Sequence, residues 1–224
     1  MVSAAPVDSY GLALPAVWRR IPLDREGFER FVGNQRRQLA ETGELSRTAQ
    51  RRFEVLLRQL RNDCARHGVV LVAVYAATAG SSPDRAQVEL LAATCTLATL
   101  DQPRLGTSLP LTANTLLAAA ARGNSGADVE PPVIVDLPGG RAVRLVRRQR
   151  IGQVQADERE VDGVDVLAEH YLLPHGDGRR AALLSLATPN VECGDAMCAL
   201  FRELANTLRT FAGDAPTDVR GATG

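Results

Sequence analysis

Apolar residues recur along this chain in two distinct periods, and the switches between them mark its elements. Gly11–Pro15 and Val17–Leu23 read as two short strands around a proline bend. Asp24 is placed to cap a helix whose apolar positions are Phe28, Phe31, Val32 and Leu39, with Gly43 ending it. A second helix follows from Leu45, with a stripe of Leu45, Ala49, Phe53, Leu56, Leu57, Leu60 and Cys64, and His67-Gly68 closes it. Val69–Tyr75 is continuously apolar and predicts a central buried strand; Val88–Ala98 predicts its antiparallel neighbour. A loop from Asp101 to Pro110, a short helix Thr112–Arg122 and a flexible link over 123–131 complete the middle of the chain.

The last third alternates like a meander. Val133–Leu137 and Arg141–Ile151 are strands around a Pro138-Gly139-Gly140 turn, and 152–163 is a polar connection. Val164–Leu173 and Ala181–Ala187 are strands around a tight turn at His175-Gly176-Asp177-Gly178. Thr188-Pro189 then opens a final helix with Met197, Leu200, Phe201, Leu204, Leu208 and Phe211 on one face. Strands grouped in meanders predict an α+β fold, with an antiparallel sheet of about six to eight strands packed against amphipathic helices. One domain over 10–212 is expected, with disordered segments at 1–9 and 213–224.

Composition narrows the function classes. The chain has 224 residues, 45% of them hydrophobic, and a formal net charge of zero, so a domain basic throughout for nucleic acid is not expected. All 26 basic residues are Arg; without a lysine there is no Schiff base and no phosphate-loop lysine. The first ten residues lack the charged and apolar regions of a signal peptide, and no apolar run approaches the roughly 20 residues that span a bilayer. Cys64, Cys95, Cys193 and Cys198 show no disulfide-framework spacing, and reduced thiols in the cytoplasm are the expectation.

Candidate chemistry is sparse. Gly123-Asn124-Ser125-Gly126 follows a helix and reads as a linker. Cys193 stands at the start of the last helix and would need His170 or His175 beside it to act as a nucleophile. His170 and His175 are five apart, facing opposite ways on an extended strand, so no metal is expected. The glycine-rich turns join strand to strand, where a phosphate cradle joins strand to helix. No catalytic residue and no cofactor is assigned. Two arginine groups remain. Arg47, Arg51, Arg52, Arg58, Arg61 and Arg66 lie opposite the apolar stripe of the second helix, and Arg141, Arg144, Arg147, Arg148 and Arg150 share one strand. The acidic residues Asp157, Glu158, Glu160, Asp162, Asp165 and Glu169 follow, placed for cross-strand pairing on an exposed sheet face. The candidate binding residues are Arg51, Arg58, Arg144, Arg148 and Trp18.

Four segments together carry a resemblance: the Leu14-Pro15…Trp18 strand region, Leu137-Pro-Gly-Gly-Arg-Ala-Val-Arg-Leu-Val146, Tyr171-Leu-Leu-Pro-His-Gly-Asp-Gly178, and Ala182-Leu-Leu-Ser-Leu-Ala-Thr-Pro189 leading into a terminal helix. This layout, over roughly 10–212, resembles the PsbP-like fold shared with the Mog family of Ran-binding proteins, in a form common among actinobacterial proteins. The resemblance implies a non-enzymatic protein-binding or assembly factor, with a link to specialised (type VII) secretion. Two alternatives stand beside it. One is a small-ligand or enzymatic pocket between sheet and helices involving His170, Tyr171, His175 and Cys193. The other is nucleic-acid binding through the helix at 45–66. A protein is the expected partner rather than nucleic acid, without membrane insertion.

Overall fold

In the computed structural model the described residues are 7–42, 47–78, 90–101, 128–151, 154–156, 159–161, 163–174 and 180–212. The expected turn at His175–Gly178, the helix Thr112–Arg122 and the tail after Gly213 lie outside them. In chain order the elements are β1 (Val7–Gly11), β2 (Trp18–Ile21), α1 (Arg25–Thr42), α2 (Arg47–Arg66), β3 (Val69–Thr78) and β4 (Leu90–Asp101). They continue with β5 (Asp128–Val129), β6 (Val133–Leu137), β7 (Gly140–Ile151), β8 (Val154–Ala156), β9 (Arg159–Val161), β10 (Val164–Pro174), β11 (Arg180–Thr188), a 3₁₀ turn (Val191–Cys193), α3 (Gly194–Ala205) and β12 (Arg209–Ala212).

Eight strands form one antiparallel sheet in the order β2-β3-β4-β11-β10-β7-β5, with β6 also pairing β7. The fold is α+β, as the grouping of strands predicts. The pleat sends alternate side chains to two faces, and each face has its own helical cover. On one face α3 packs Met197, Phe201, Leu204 and Ala205 against Leu97, Tyr171, Leu173, Leu184 and Leu186. Phe201 is fully buried there, a burial that contributes about 1.5–3 kcal/mol. On the other face α1 and α2 cover the β2–β3 end through Ile21, Phe28, Val32, Leu57, Cys64 and Val72. Asp24 caps α1 as its position predicts, its Oδ1 accepting from the Gly27 N–H at 2.7 Å. Among the described residues no helix is long and apolar enough to cross a membrane.

Both ends of the described residues depart from expectation for one reason: they pair with each other. Val7–Gly11 is a strand against Arg209–Ala212, so the strand expected at Gly11–Pro15 lies four residues earlier. The last helix stops at Ala205, not Phe211, and Leu208 stays buried in the same core after the chain turns. A spacing of four residues between Leu204 and Leu208 fits a helix, but Thr207 Oγ1 accepts from the Ala13 N–H at 3.1 Å and draws the chain into an extended course. Thr188 ends β11 rather than capping the helix. Two short pairings also occupy supposed connections: β8 with β9 inside 152–163, and β5 on β7 inside the link over 123–131.

Gly68 closes α2 with φ of 65°, and a Cβ there would stand 2.6 Å from the backbone oxygen of Thr99. Gly68→Ala is expected to destabilise the protein by about 1–2 kcal/mol, read as a lowered urea midpoint with unchanged slope. An unchanged midpoint would show that β4 moves aside freely.

Candidate polar sites on the central sheet

β10 runs between β7 and β11, and its alternation delivers polar groups to both faces. Glu169 and Tyr171 point toward α3; His170 points the other way.

On the α3 face Glu169 is fully buried. Its Oε1 accepts a hydrogen bond from Arg144 Nε and another, at 2.7 Å, from the Tyr171 hydroxyl. The register explains the group: Arg144 lies directly opposite Tyr171, one pleat from Glu169. Burial works against the Arg144 charge, but the Glu169 carboxylate outweighs it and holds the guanidinium above its ordinary pKa. Burial, then the Glu169 hydrogen bond and charge, push the Tyr171 hydroxyl up, so it stays a donor. Burial first and Glu169 second also push up the thiol of Cys198, on α3. Glu169 Oε2 is buried with no partner. A carboxylate, a guanidinium and a phenol so closed off form a structural network more readily than a reaction centre.

On the opposite face His170 Nδ1 lies 2.9 Å from Ser185 Oγ, its cross-strand neighbour on β11. Burial, and then the Arg147 charge, push His170 down to about 4, so the ring is neutral at pH 7. Arg147 is itself lowered by burial. His170 Nε2 and Arg147 Nε are both buried atoms without a hydrogen-bond partner.

The sequence-chosen residues are scattered. Arg51 and Arg58 are carried on α2, where Arg58 pairs with Glu54 at 3.4 Å and Glu29 at 3.3 Å. Arg61 donates to the Leu23 carbonyl at 3.0 Å and sits over the Phe28 ring, and Arg66 pairs with Asp63 at 2.8 Å. Three arginines expected on a solvated face are thus engaged locally, two by helix neighbours and one by α1 and its lead-in. Trp18 is buried on β2, its ring 5.6 Å from that of Tyr75. The five arginines of β7 do not share a face: Arg144, Arg148 and Arg150 point to the α3 side, Arg141 and Arg147 to the other. Arg144 belongs to the buried network, whereas Arg148 is exposed. Charge pairing between β7 and β10 holds at Arg150–Asp165, 3.9 Å apart, and in the Arg144–Glu169 pair, which is internal rather than on an exposed face. His170 and Tyr171 cannot line one pocket, because they leave β10 on opposite faces. Cys193 packs at the α3 core, away from His170. His175 lies outside the described residues. Among the described residues no cluster of His, Cys, Asp and Glu could hold a metal.

Glu169, Ser185 and Arg147 were not singled out by sequence as site residues. The readable signal was a polar residue inside an apolar run: Glu169 between Leu167 and Tyr171, and Ser185 between Leu184 and Leu186.

No family model matches the chain, and no curated protein matches it in sequence. Among solved structures it is similar to LpqN, involved in cell envelope biogenesis of Mycobacterium tuberculosis. The identity is 11% and the TM-score 0.43, over 91% of this chain and 83% of that one.

Proposed function

We propose that this chain is a protein-binding module that takes an extended apolar segment of a partner alongside β6. The observation that supports the reading is the contrast between the two ends of the sheet. At one end β2 is four residues long and carries exposed Arg19 and Arg20, features that discourage edge pairing. At the other end β6 has, among the described residues, a strand on one side only, formed by β7. Its consecutive residues Val133 and Ile134 are 45% and 39% exposed, so both faces of the strand present apolar surface at an edge. A partner strand added there gains main-chain hydrogen bonds from β6 and covers both side chains. A binding role is also what the resemblance to the PsbP-like fold implies.

The test uses a partner cross-linked to the full chain in its native cells and then purified. Val133→Lys with Ile134→Lys is expected to weaken its binding about a hundredfold while leaving the unfolding midpoint nearly unchanged. The control Val55→Lys, on α2, should bind normally. Equal retention of the partner by the β6 variant would remove this reading.

A further inference from the structure

The sheet face opposite α3 carries two polar rows that neither core uses. Thr96, Ser185 and His170 stand directly opposite one another on β4, β11 and β10. One pleat along, Thr94, Ala187, Ala168 and Arg147 form the next row, small at its centre. Arg147, His170 and Ser185 are each only partly buried as residues, whereas the Arg147 Nε and His170 Nε2 atoms are themselves covered.

Arg147 differs from Arg141, Arg144 and Arg150 on β7. Arg144 is paired with Glu169, Arg150 with Asp165 and Arg141 with Asp136. Arg147 has no ion pair among the described residues, and its Nε–H has no acceptor. Of the described residues, the strands β3, β4, β11, β10, β7 and β6 present one carboxylate on this face, Asp136, and Arg141 holds it at 3.4 Å. A partly desolvated cation with no counter-ion, beside an imidazole nitrogen with no partner, is an arrangement that an anion completes.

We propose that Arg147, His170 and Ser185 form a binding site for the carboxylate group of a small organic acid. Ser185 Oγ–H donates to His170 Nδ1, which leaves the ring proton on Nε2. That N–H and the Arg147 Nε–H are then both donors, and one carboxylate accepts from both. The charge favours a monoanion. His170 is neutral near pH 7, so Arg147 alone supplies a positive charge, matched by a carboxylate and exceeded by doubly charged phosphate. A bound carboxylate replaces the repulsion of Arg147 at His170 with an attraction, so His170 becomes easier to protonate.

The test is NMR titration of the full chain with butyrate, reading the Arg147 Nε–H and His170 ring signals, with inorganic phosphate as the second probe. Butyrate is expected to shift both signals saturably at millimolar concentrations, about the strength of one charge-assisted contact pair. It should also raise the pH at which His170 titrates relative to chloride. Arg147→Gln removes a cation that holds no partner and should fold normally; it should weaken butyrate binding at least about tenfold. Arg147→Lys keeps the charge but loses the planar fork and should fall between the two. Three results each overturn the site: no saturable shift with butyrate, an undiminished shift in Arg147→Gln, or tighter binding of phosphate than of butyrate.

Discussion

Arg144→Met is expected to destabilise the protein by about 3–5 kcal/mol at pH 7, because it leaves the carboxylate of a fully buried Glu169 with the Tyr171 hydroxyl alone. The Arg144 side chain is itself 20% exposed, so water can partly reach the vacated position, which favours the lower half of that range. The loss comes from the orphaned charge, and one further result follows from that cause. Replacing both members, Arg144→Met with Glu169→Leu, should recover most of the stability, since a buried pair can often be exchanged for packed apolar groups at little cost. Urea denaturation of the four proteins of this cycle supplies the numbers. A single-variant loss below about 1 kcal/mol, or a double variant as unstable as the sum of its parents, would show that the pair does not hold the α3 face together.

The second large effect is a pH dependence centred on His170. Its pKa is pushed down to about 4 in the folded protein, by burial and then by Arg147, from an ordinary value of 6.5. Between those values the unfolded chain takes up a proton that the folded protein refuses. The stabilising contribution is therefore complete above 6.5 and is lost as pH falls toward 4. The full span corresponds to about 3 kcal/mol, of which about 2 kcal/mol is lost by pH 5. Carboxylates titrate nearby, so the measurement is a difference. The stability of wild type should fall more steeply from pH 7 to pH 5 than that of His170→Gln, by about 2 kcal/mol. Parallel slopes would place His170 in contact with water.

Much of the fold is legible in the chain because local physics sets it. Asp24 caps α1, Gly68 supplies the left-handed residue after α2, and Pro138-Gly139 makes the turn between β6 and β7. The continuous apolar run Val69–Tyr75 becomes β3, beside the edge strand β2, where the α3-side core lies on one face and α1 and α2 cover the other. The candidate sites were far less legible. His170 and Ser185 are fifteen residues apart and meet only through the β10–β11 register. Arg144 and Glu169 are twenty-five apart and meet through β7–β10. A one-residue slip in either pairing would send each side chain to the opposite face. The arginines of β7 looked like one patch because they are close in sequence, but the pleat divides them between two surfaces.

The sequence by itself determined the α+β class, the amphipathic faces of α1, α2 and α3, the Pro138-Gly139 turn and the absence of lysine chemistry, all of which depend on residue type and short-range spacing. Tertiary structure decided everything that depends on distant partners. It paired the two ends of the described chain as β1 and β12, and it joined β4 to β11 across an intervening stretch of about eighty residues. It also buried Glu169 beneath α3 while leaving Arg147 without a counter-ion on the far face. Whether a charged side chain becomes a structural bond or stays without a counter-ion depends on what packs against it, and that is a property of the assembled sheet.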